Sequence, residues 1–379
     1  MITLRPMRIG VTVAAVAGVL LLSACGSKAT TSSTPPAGTG STTPTGSSSS
    51  GTTAAGSLDA CMVLDTGGVD DKSFNQSSYA GMTAANQANP NIKISYVGSN
   101  SQNDYTPNLN AEVSKGCGAI IAVGGLMADN VKAVAAKNPN THFAEVDAPS
   151  SGPNVYGLQF NTAQGGFLGG FLAAGMTKTG KVATWGGLDI PPVTIYMDGF
   201  WEGVQYYNAQ NHKSVQVLGW NEKNQKGGTF VNGPTAFTDQ NKGKQISQTF
   251  IQQGADIIFP VAGGAGLGAG AAAEASNGKV SVIWVDTDGC VSAAQYCKVF
   301  LTSVTKNLAG SVTTYLNAAA TGSFPTGSYV GTLANNGTGL APFHDFASQV
   351  PASLQAQLAT VKAGIISGAI KITSPSQPS

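Results

Sequence analysis

DTGGVDDKSFNQSSYAG, residues 65–81, decides the fold of this chain. It follows the apolar run CMVL at 61–64. An apolar run, then the pair Gly67 and Gly68, then acids, then a helical pattern is how a parallel strand hands over to a helix. Open α/β sheets bind ligands just past the carboxyl ends of such strands. The loop carries Asp70, Asp71, Phe74 and Asn75. Phe74 offers a flat face, and the acids and the amide offer directional hydrogen bonds, a mix that suits a planar, polar small molecule. The same residues also fit a plain surface loop in which an Asp caps the helix and Phe74 enters the core, since Asp is a favoured N-cap.

Outward from this stretch, strand and helix signals alternate. Strands are expected at 92–97, 119–123, 142–146 and 155–160, with helices at 73–89, 104–115, 127–137 and 163–177. A second cycle starts at Thr179, with strands at 182–185, 215–220, 257–261 and 280–285 and helices at 193–209, 241–253 and from 268. Strands of both cycles end in Gly-Gly (Gly124, Gly186, Gly263) or in Asp (Asp147, Asp286). Such alternation with short loops predicts parallel sheets. The fold class is α/β: two doubly wound Rossmann-like lobes with a hinge, facing each other across a cleft. Beyond residue 299 the pattern gives a strand to 303, a helix at 307–319, an extended segment at 327–332 and a helix at 353–367. The Ser/Pro-rich segment after Thr373 is expected to fray.

The 379 residues carry a net charge of +1, and only 10% are charged. With no basic patch, binding of a nucleic-acid polymer has no electrostatic support. Residues 1–25 have the form of an exported leader: Arg5 and Arg8, an apolar run at 9–22, then Leu22-Ser23-Ala24-Cys25. That run is too short for a comfortable membrane span. The LSAC end resembles the lipobox of bacterial lipoproteins, in which the Cys is acylated and the chain is cut before it; an ordinary signal peptide with an incidental Cys25 is the alternative. Residues 26–57 are almost wholly Ser, Thr, Gly, Pro and Ala, and are expected to form a disordered tether with a reach of roughly 30 Å.

Five cysteines suit an exported chain. If the strands at 61–64 and 119–123 are parallel neighbours, Cys61 and Cys117 fall at the same end and can bridge, while Cys290 and Cys297 close a short loop. Chain-entropy arguments give roughly 4 and roughly 2.5 kcal/mol for these bridges. Four cysteines allow three pairings, and a buried free Cys61 is the alternative. Catalytic signals are lacking. His142, His212 and His344 are scattered, and no GxSxG, HExxH or spaced Cys/His set occurs. Neither a catalytic residue, a metal nor a cofactor is expected. Residues 266–271, GLGAGA, fit a dinucleotide fingerprint with Asp286 further on, but this is a weak pattern in a chain with 49 glycines.

Residues 65–82, DTGGVDDKSFNQSSYAGM, resemble the first-strand signature of the basic-membrane-protein family of substrate-binding lipoproteins, a group that includes bacterial purine-nucleoside receptors. DYTPNL at 104–109 resembles that family's second loop. Gly180-Lys181-Val182, Gly186-Gly187, Ile190-Pro191 and Asp198-Gly199-Phe200 resemble the start of its second lobe. GADIIF at 254–259, the glycines of 263–268, VDTD at 285–288 and LTSVTKN at 301–307 follow in order. The resemblance implies a type I periplasmic-binding-protein fold. The first lobe would comprise 58–177 and 307–329, and the second 178–306 and 330–373. It also implies a nucleoside ligand and an ABC-importer permease as partner. With the lipobox-like Cys25, the chain is expected to be a monomer lipid-anchored on the extracytoplasmic face of the cell membrane.

Carried over residue by residue, Phe74 would stack on the base, and Phe200 or its neighbour Trp201 would close on the other face. Asp71 and Asn75 would bond the base edge. Asp286 and Lys306 would hold the ribose hydroxyls. Gly263 or Gly264 would admit close backbone approach, and Asp104, Gly125 and Leu126 would line the first-lobe side. The sequence departs from the family at Asp288-Gly289-Cys290, where Asp-Gln is usual, and in the long loop 223–239 with Phe230 and Phe237. A sugar receptor of the same fold, a lipoprotein sensor and a nucleoside-processing enzyme are the alternatives.

Overall fold

Short apolar runs closed by glycine or a polar turn become strands, and the amphipathic or Gly/Ala-rich stretches between them become helices. The computed structural model describes residues 56–378. The expected leader, the expected acylation of Cys25 and the expected tether to residue 55 lie outside the described residues. In chain order the first elements are β1 (Leu58–Leu64), α1 (Phe74–Ala88), β2 (Ile92–Val97), α2 (Tyr105–Ser114) and β3 (Ala119–Val123). Next come α3 (Ala128–Lys137), β4 (His142–Val146), β5 (Val155–Phe160), α4 (Thr162–Met176), β6 (Lys181–Gly186) and α5 (Pro191–Asn211). Then follow β7 (Gln216–Leu218), α6 (Gln240–Gln252), β8 (Ile257–Val261), α7 (Leu267–Glu274), β9 (Ser281–Asp286) and the short α8 (Gly289–Ser292). The last are β10 (Phe300–Lys306), α9 (Leu308–Ala320), β11 (Ser328–Gly331), β12 (Thr338–Leu340) and α10 (Ala352–Ile366).

Two six-stranded sheets result. The first runs β11-β5-β4-β3-β1-β2 and is parallel throughout. The second runs β12-β10-β9-β8-β6-β7 and is parallel except for β12, which pairs antiparallel with β10. In each sheet the order reverses beside the first strand, between β1 and β3 and between β6 and β8. Those switch points open crevices at the carboxyl ends of the strands.

The structure corrects three sequence expectations. Helix α4, expected in the first lobe, packs in the second: Ala163, Phe167, Phe171 and Leu172 share its core with Val182, Phe259 and Ile283. The reason is backbone contact through glycine. A Cβ at Gly170 would lie 2.0 Å from the Phe200 carbonyl oxygen, and one at Gly203 of α5 would lie 2.0 Å from that of Phe167. The first crossing between lobes is therefore at Asn161. The third follows Gly331, because β11 belongs whole to the first sheet and β12 to the second. The second crossing lies between Lys306 and α9, which returns to the first lobe and packs Leu308, Val312 and Leu316 against Met82 and Ala85. Finally, the segment after Thr373 is not frayed: Ser374 is 4% exposed and donates to the buried Asp198.

Both expected disulfides are present. β1 and β3 are parallel neighbours, and Cys61 bridges Cys117 across a Cα–Cα distance of 6.0 Å; Cys290 bridges Cys297 at 4.5 Å. Glu145 of β4 is fully buried, and neither carboxylate oxygen has a hydrogen-bond partner among the described residues. Burial, helped by Asp129, pushes its carboxyl up to about 8.

Gly170→Ala should destabilise the protein by about 1–3 kcal/mol, as overpacking does, read from urea unfolding; an unchanged midpoint would break the account of the α4–α5 seam. Glu145 binds its proton in the folded state when the unfolded chain has released it. Stability should thus fall by about 1.4 kcal/mol per pH unit from roughly pH 5 to roughly pH 8 on its account. Glu145→Gln should flatten that slope, and an identical pH profile for both proteins would refute it.

Candidate ligand-binding site

A cavity lies between the facing carboxyl ends of the two sheets. The first lobe contributes Asp65, Gly67, Asp71, Phe74 and Asn75 after β1, Gly125 and Leu126 after β3, and Asp147 after β4. The second contributes Ile190 and Tyr196 around the start of α5, Phe237 from the long loop, Gly263 after β8, Asp286 at the end of β9 and Lys306 at the end of β10.

Asp71 is first of all a cap. Its Oδ1 accepts the N–H of Ser73 (2.9 Å) and of Gln76 (3.1 Å), and its Oδ2 accepts the N–H of Asn75 (2.9 Å). These are orphan donors at the start of α1. Burial pushes this carboxyl up to about 6. Asn75 Nδ2 donates to Asp65 Oδ1 (2.7 Å) and lies 3.3 Å from Asp71 Oδ2. Two carboxylates thus fix which way the amide points, and its buried Oδ1 is left without a protein partner among the described residues. Asp65 Oδ1 also accepts the N–H of Gly67 (2.9 Å). Burial raises the Asp65 carboxyl above the usual range. Gly124, at φ +119°, leaves room for Asp65 Oδ2, which a Cβ there would approach to 2.9 Å.

Lys306, 5% exposed, sits between two acids from different lobes. Its Nζ is 2.8 and 3.1 Å from the Asp147 oxygens and 3.6 Å from Asp286 Oδ1. Burial alone would lower its pKa; Asp147 and Asp286 outweigh that and raise it. The ammonium also lies 4.7 Å from the ring centre of Phe74 and 5.5 Å from that of Tyr196, within cation–π range. Asp286 Oδ1 accepts the Tyr196 hydroxyl and Oδ2 that of Ser73, both at 2.7 Å. Trp284 Nε1 donates to the Lys72 carbonyl (3.3 Å). The lobes thus meet directly through Ser73–Asp286, Lys72–Trp284 and Asp147–Lys306. Asp147 and Asp286 end corresponding strands, and both have φ +67°.

Of the residues singled out from the sequence, Asp71, Phe74, Asn75, Gly125, Leu126, Gly263, Asp286 and Lys306 line this cavity. Four do not. Asp104 accepts the N–H groups of Asn100 and Ser101 and holds that turn. Phe200 is fully buried against Phe259, with ring centres 5.3 Å apart. It shares a face of α5 with Tyr196 but lies one turn deeper. Trp201 lines an outer groove under Lys223. Gly264 lies against the Asp71 backbone, 3.7 Å from its carbonyl oxygen to a built Cβ. The second-lobe aromatics at the cavity are instead Tyr196 and Phe237. Phe237 was visible as an aromatic in the long loop, Asp147 as the counterpart of Asp286, and Asp65 as the residue closing β1; Tyr196 carried no signal of its own.

Other sequence signals resolve into packing. In GLGAGA a Cβ at Gly268 would lie 2.2 Å from the Gln240 carbonyl oxygen, so this glycine seats α7 on α6. Among the described residues, the Cys-containing acid clusters Cys61–Glu112–Cys117 and Asp288–Cys290–His344 use cysteines already in disulfides. No helix among the described residues is long and apolar enough to cross a membrane.

Comparison with known proteins gives a consistent picture. Residues 59–331 match the Bmp family model, described as ABC transporter substrate-binding protein PnrA-like. The CD4+ T-cell-stimulating antigen of Listeria monocytogenes is 33% identical over 84% of this chain and 88% of its own. The ABC transporter nucleoside-binding protein BmpA of Lactococcus lactis subsp. cremoris is 30% identical over 84% of this chain and 90% of its own. Among solved structures, an ABC transporter solute-binding protein from Aeropyrum pernix superposes with a TM-score of 0.72 at 23% identity, over 84% of this chain and 94% of that one. That likeness shows the fold, two lobes of the periplasmic-binding-protein type. The family consists of receptors that serve ABC transporters, not of enzymes. The chain belongs to the Bmp family of ABC transporter substrate-binding proteins.

Proposed function

We propose that the chain is a lipid-anchored extracytoplasmic receptor that captures nucleosides, purine nucleosides above all, in the cleft between its lobes and delivers them to the permease of an ABC importer. The observation that carries this reading is the set of groups that line the cavity. One is Asn75 Oδ1, without a partner among the described residues, beside Asp65. A second is the ring of Phe74 from one lobe and that of Phe237 from the other. A third is the cluster of Asp147, Lys306 and Asp286.

A heterocycle with N–H groups on its edge fits the first, its flat face the second, and a sugar bearing hydroxyls the third. Stacking contributes about 1–3 kcal/mol per base, and ionised carboxylates accept strong hydrogen bonds from hydroxyls. The base lies on Phe74 alongside the Lys306 ammonium. Asp71 acts through Asn75, whose orientation it helps to set. Asp65, Asp71, Asp147 and Asp286 line the cavity together with the ammonium of Lys306, so a phosphorylated ligand meets net repulsion when these acids are ionised. The Lactococcus lactis relative, named as nucleoside-binding, supports the ligand class. Cys25 after Leu-Ser-Ala supports the anchor.

Calorimetry of the body from residue 56 against purine and pyrimidine nucleosides, their monophosphates and free sugars is the direct test. One-to-one binding of nucleosides, no binding of monophosphates and no product on incubation are expected. Binding of a free sugar with none of any nucleoside would replace this reading by a sugar receptor. Phe74→Ala should weaken nucleoside binding about ten- to a hundred-fold, and an unchanged constant would remove Phe74 from the site. Cys25→Ala should move the protein from the membrane fraction to the soluble fraction; continued membrane association would remove the lipid anchor.

A further inference from the structure

Residues 372–378, ITSPSQP, have little apolar area to bury, yet they are tied down along their length. Ile372 packs on the core of the second lobe. Thr373 donates its N–H to Glu202 Oε1 (2.8 Å) and its hydroxyl to Glu222 Oε1 (3.0 Å). Ser374 donates to Asp198 Oδ2 (2.6 Å), and the hydroxyls of Ser376 and Thr194 are 2.9 Å apart. Asp198 is fully buried and also accepts from Trp220 Nε1 and Gln225 Nε2, each at 2.8 Å. Ser374 thus supplies a donor to a carboxylate that burial makes costly to leave unpaired. Thr194, Asp198 and Glu202 recur every four residues and form one face of α5, and the segment runs antiparallel along that face.

The segment then leaves the helix. Gln377 Oε1 accepts from Asn161 Nδ2 (3.0 Å), while its Nε2 donates to the carbonyls of Ile372 (3.0 Å) and Ser374 (3.2 Å). Asn161 is where the chain passes from the first lobe to the second. Pro375 and Pro378 wall, with Pro149 and Gln159 of the first lobe, a side cavity that shares Asp147 with the ligand cleft.

We propose that residues 372–378 are a strap: anchored on α5 and tied at Asn161, they hold the two lobes together along the hinge flank and limit how far the cleft opens. The prolines favour this use, because a Pro-rich segment is extended before it docks and loses little entropy on docking. When the first lobe turns away from α5, the Asn161–Gln377 bond is strained first and the side cavity that the prolines wall widens. The Asp198–Ser374 bond stays within the second lobe. Releasing the strap therefore frees the hinge without dismantling either core, whatever the ligand.

Gln377→Ala and a variant ending at Lys371 can be compared with the full chain, no ligand added, by hydrogen exchange and small-angle X-ray scattering. In both variants the amides at the crossings, 161–162 and 332–337, should exchange about five-fold faster, the effect of one net hydrogen bond. The radius of gyration should rise, while exchange in β1 and β3 stays as in the full chain. Gln377→Ala keeps the anchor on α5 intact and decides the matter alone if the shortened variant does not fold. Unchanged exchange at the crossings and an unchanged radius in Gln377→Ala would reduce the segment to packing of the second lobe and overturn the strap.

Discussion

The ammonium of Lys306, buried between a carboxylate of each lobe, is the constraint on which the closed arrangement rests. Removing a charge from water costs several kcal/mol, and only close, hydrogen-bonded partners repay it. Asp286 is a partner in the same lobe at 3.6 Å, but the shorter contacts, 2.8 and 3.1 Å, are to Asp147 in the other. Drawing the lobes apart takes away the better partner, so water must enter and rehydrate both charges. Opening and hydration of the cleft are therefore one event. The two acids hold their places at the same cost in each lobe: both sit in the left-handed region at φ +67°, where Asp is tolerated better than most residues. A strained conformation repeated at corresponding strand ends is what two copies of one architecture, each offering an acid to the same seam, would require.

A second network orders the loop after β1. Asp71 takes up the N–H groups at the start of α1, and the same turn presents Asn75, whose amide is then locked by Asp65. One acid organises the helix end and another organises the amide. What remains for a ligand is the single oxygen that neither uses. A buried network of this kind is effective only when every other member is satisfied. Two acids thus hold one amide in place, with its carbonyl oxygen left over.

Much of this could be seen in the chain itself. Strand order within each cycle, the parallel neighbours that bring Cys61 to Cys117, and the loop after β1 all follow from short-range signals: apolar runs, glycine pairs and terminal Asp residues. The lobe to which α4 belongs could not. Its glycines permit close packing on any partner with matching gaps, and only Gly199 and Gly203 of α5, placed against the carbonyl oxygens of Ala163 and Phe167, select the second lobe. The aromatic of the second lobe was misplaced for a similar reason. Phe200 and Tyr196 share a helix face, and one turn separates a cleft residue from a core residue. Phe237 reaches the cavity because Gly187 leaves it space, a Cβ there falling 2.4 Å from its ring. Such complementarity between residues far apart in sequence has no local signature.

Helix α5 shows how these levels meet in one element. Its 21 residues divide into three faces. Val193, Tyr196 and Phe200 look along the cleft into the core; Gly199 and Gly203 lie on α4; Thr194, Asp198 and Glu202 receive the segment that follows α10. From Val193 to Phe200 the helix is buried on every side, and such a stretch has no simple apolar stripe, which is why its partners are hard to read from periodicity. The same coverage ties three functions to one rigid body. Tyr196 bonds Asp286 beside the Lys306 seam, the glycine face fixes the helix to the element that enters the lobe, and the polar face carries the link to Asn161 at the crossing. A displacement of α5 against the sheet would have to be accommodated at the cleft, the hinge and the lobe core together, so the position of this helix is set by all three at once.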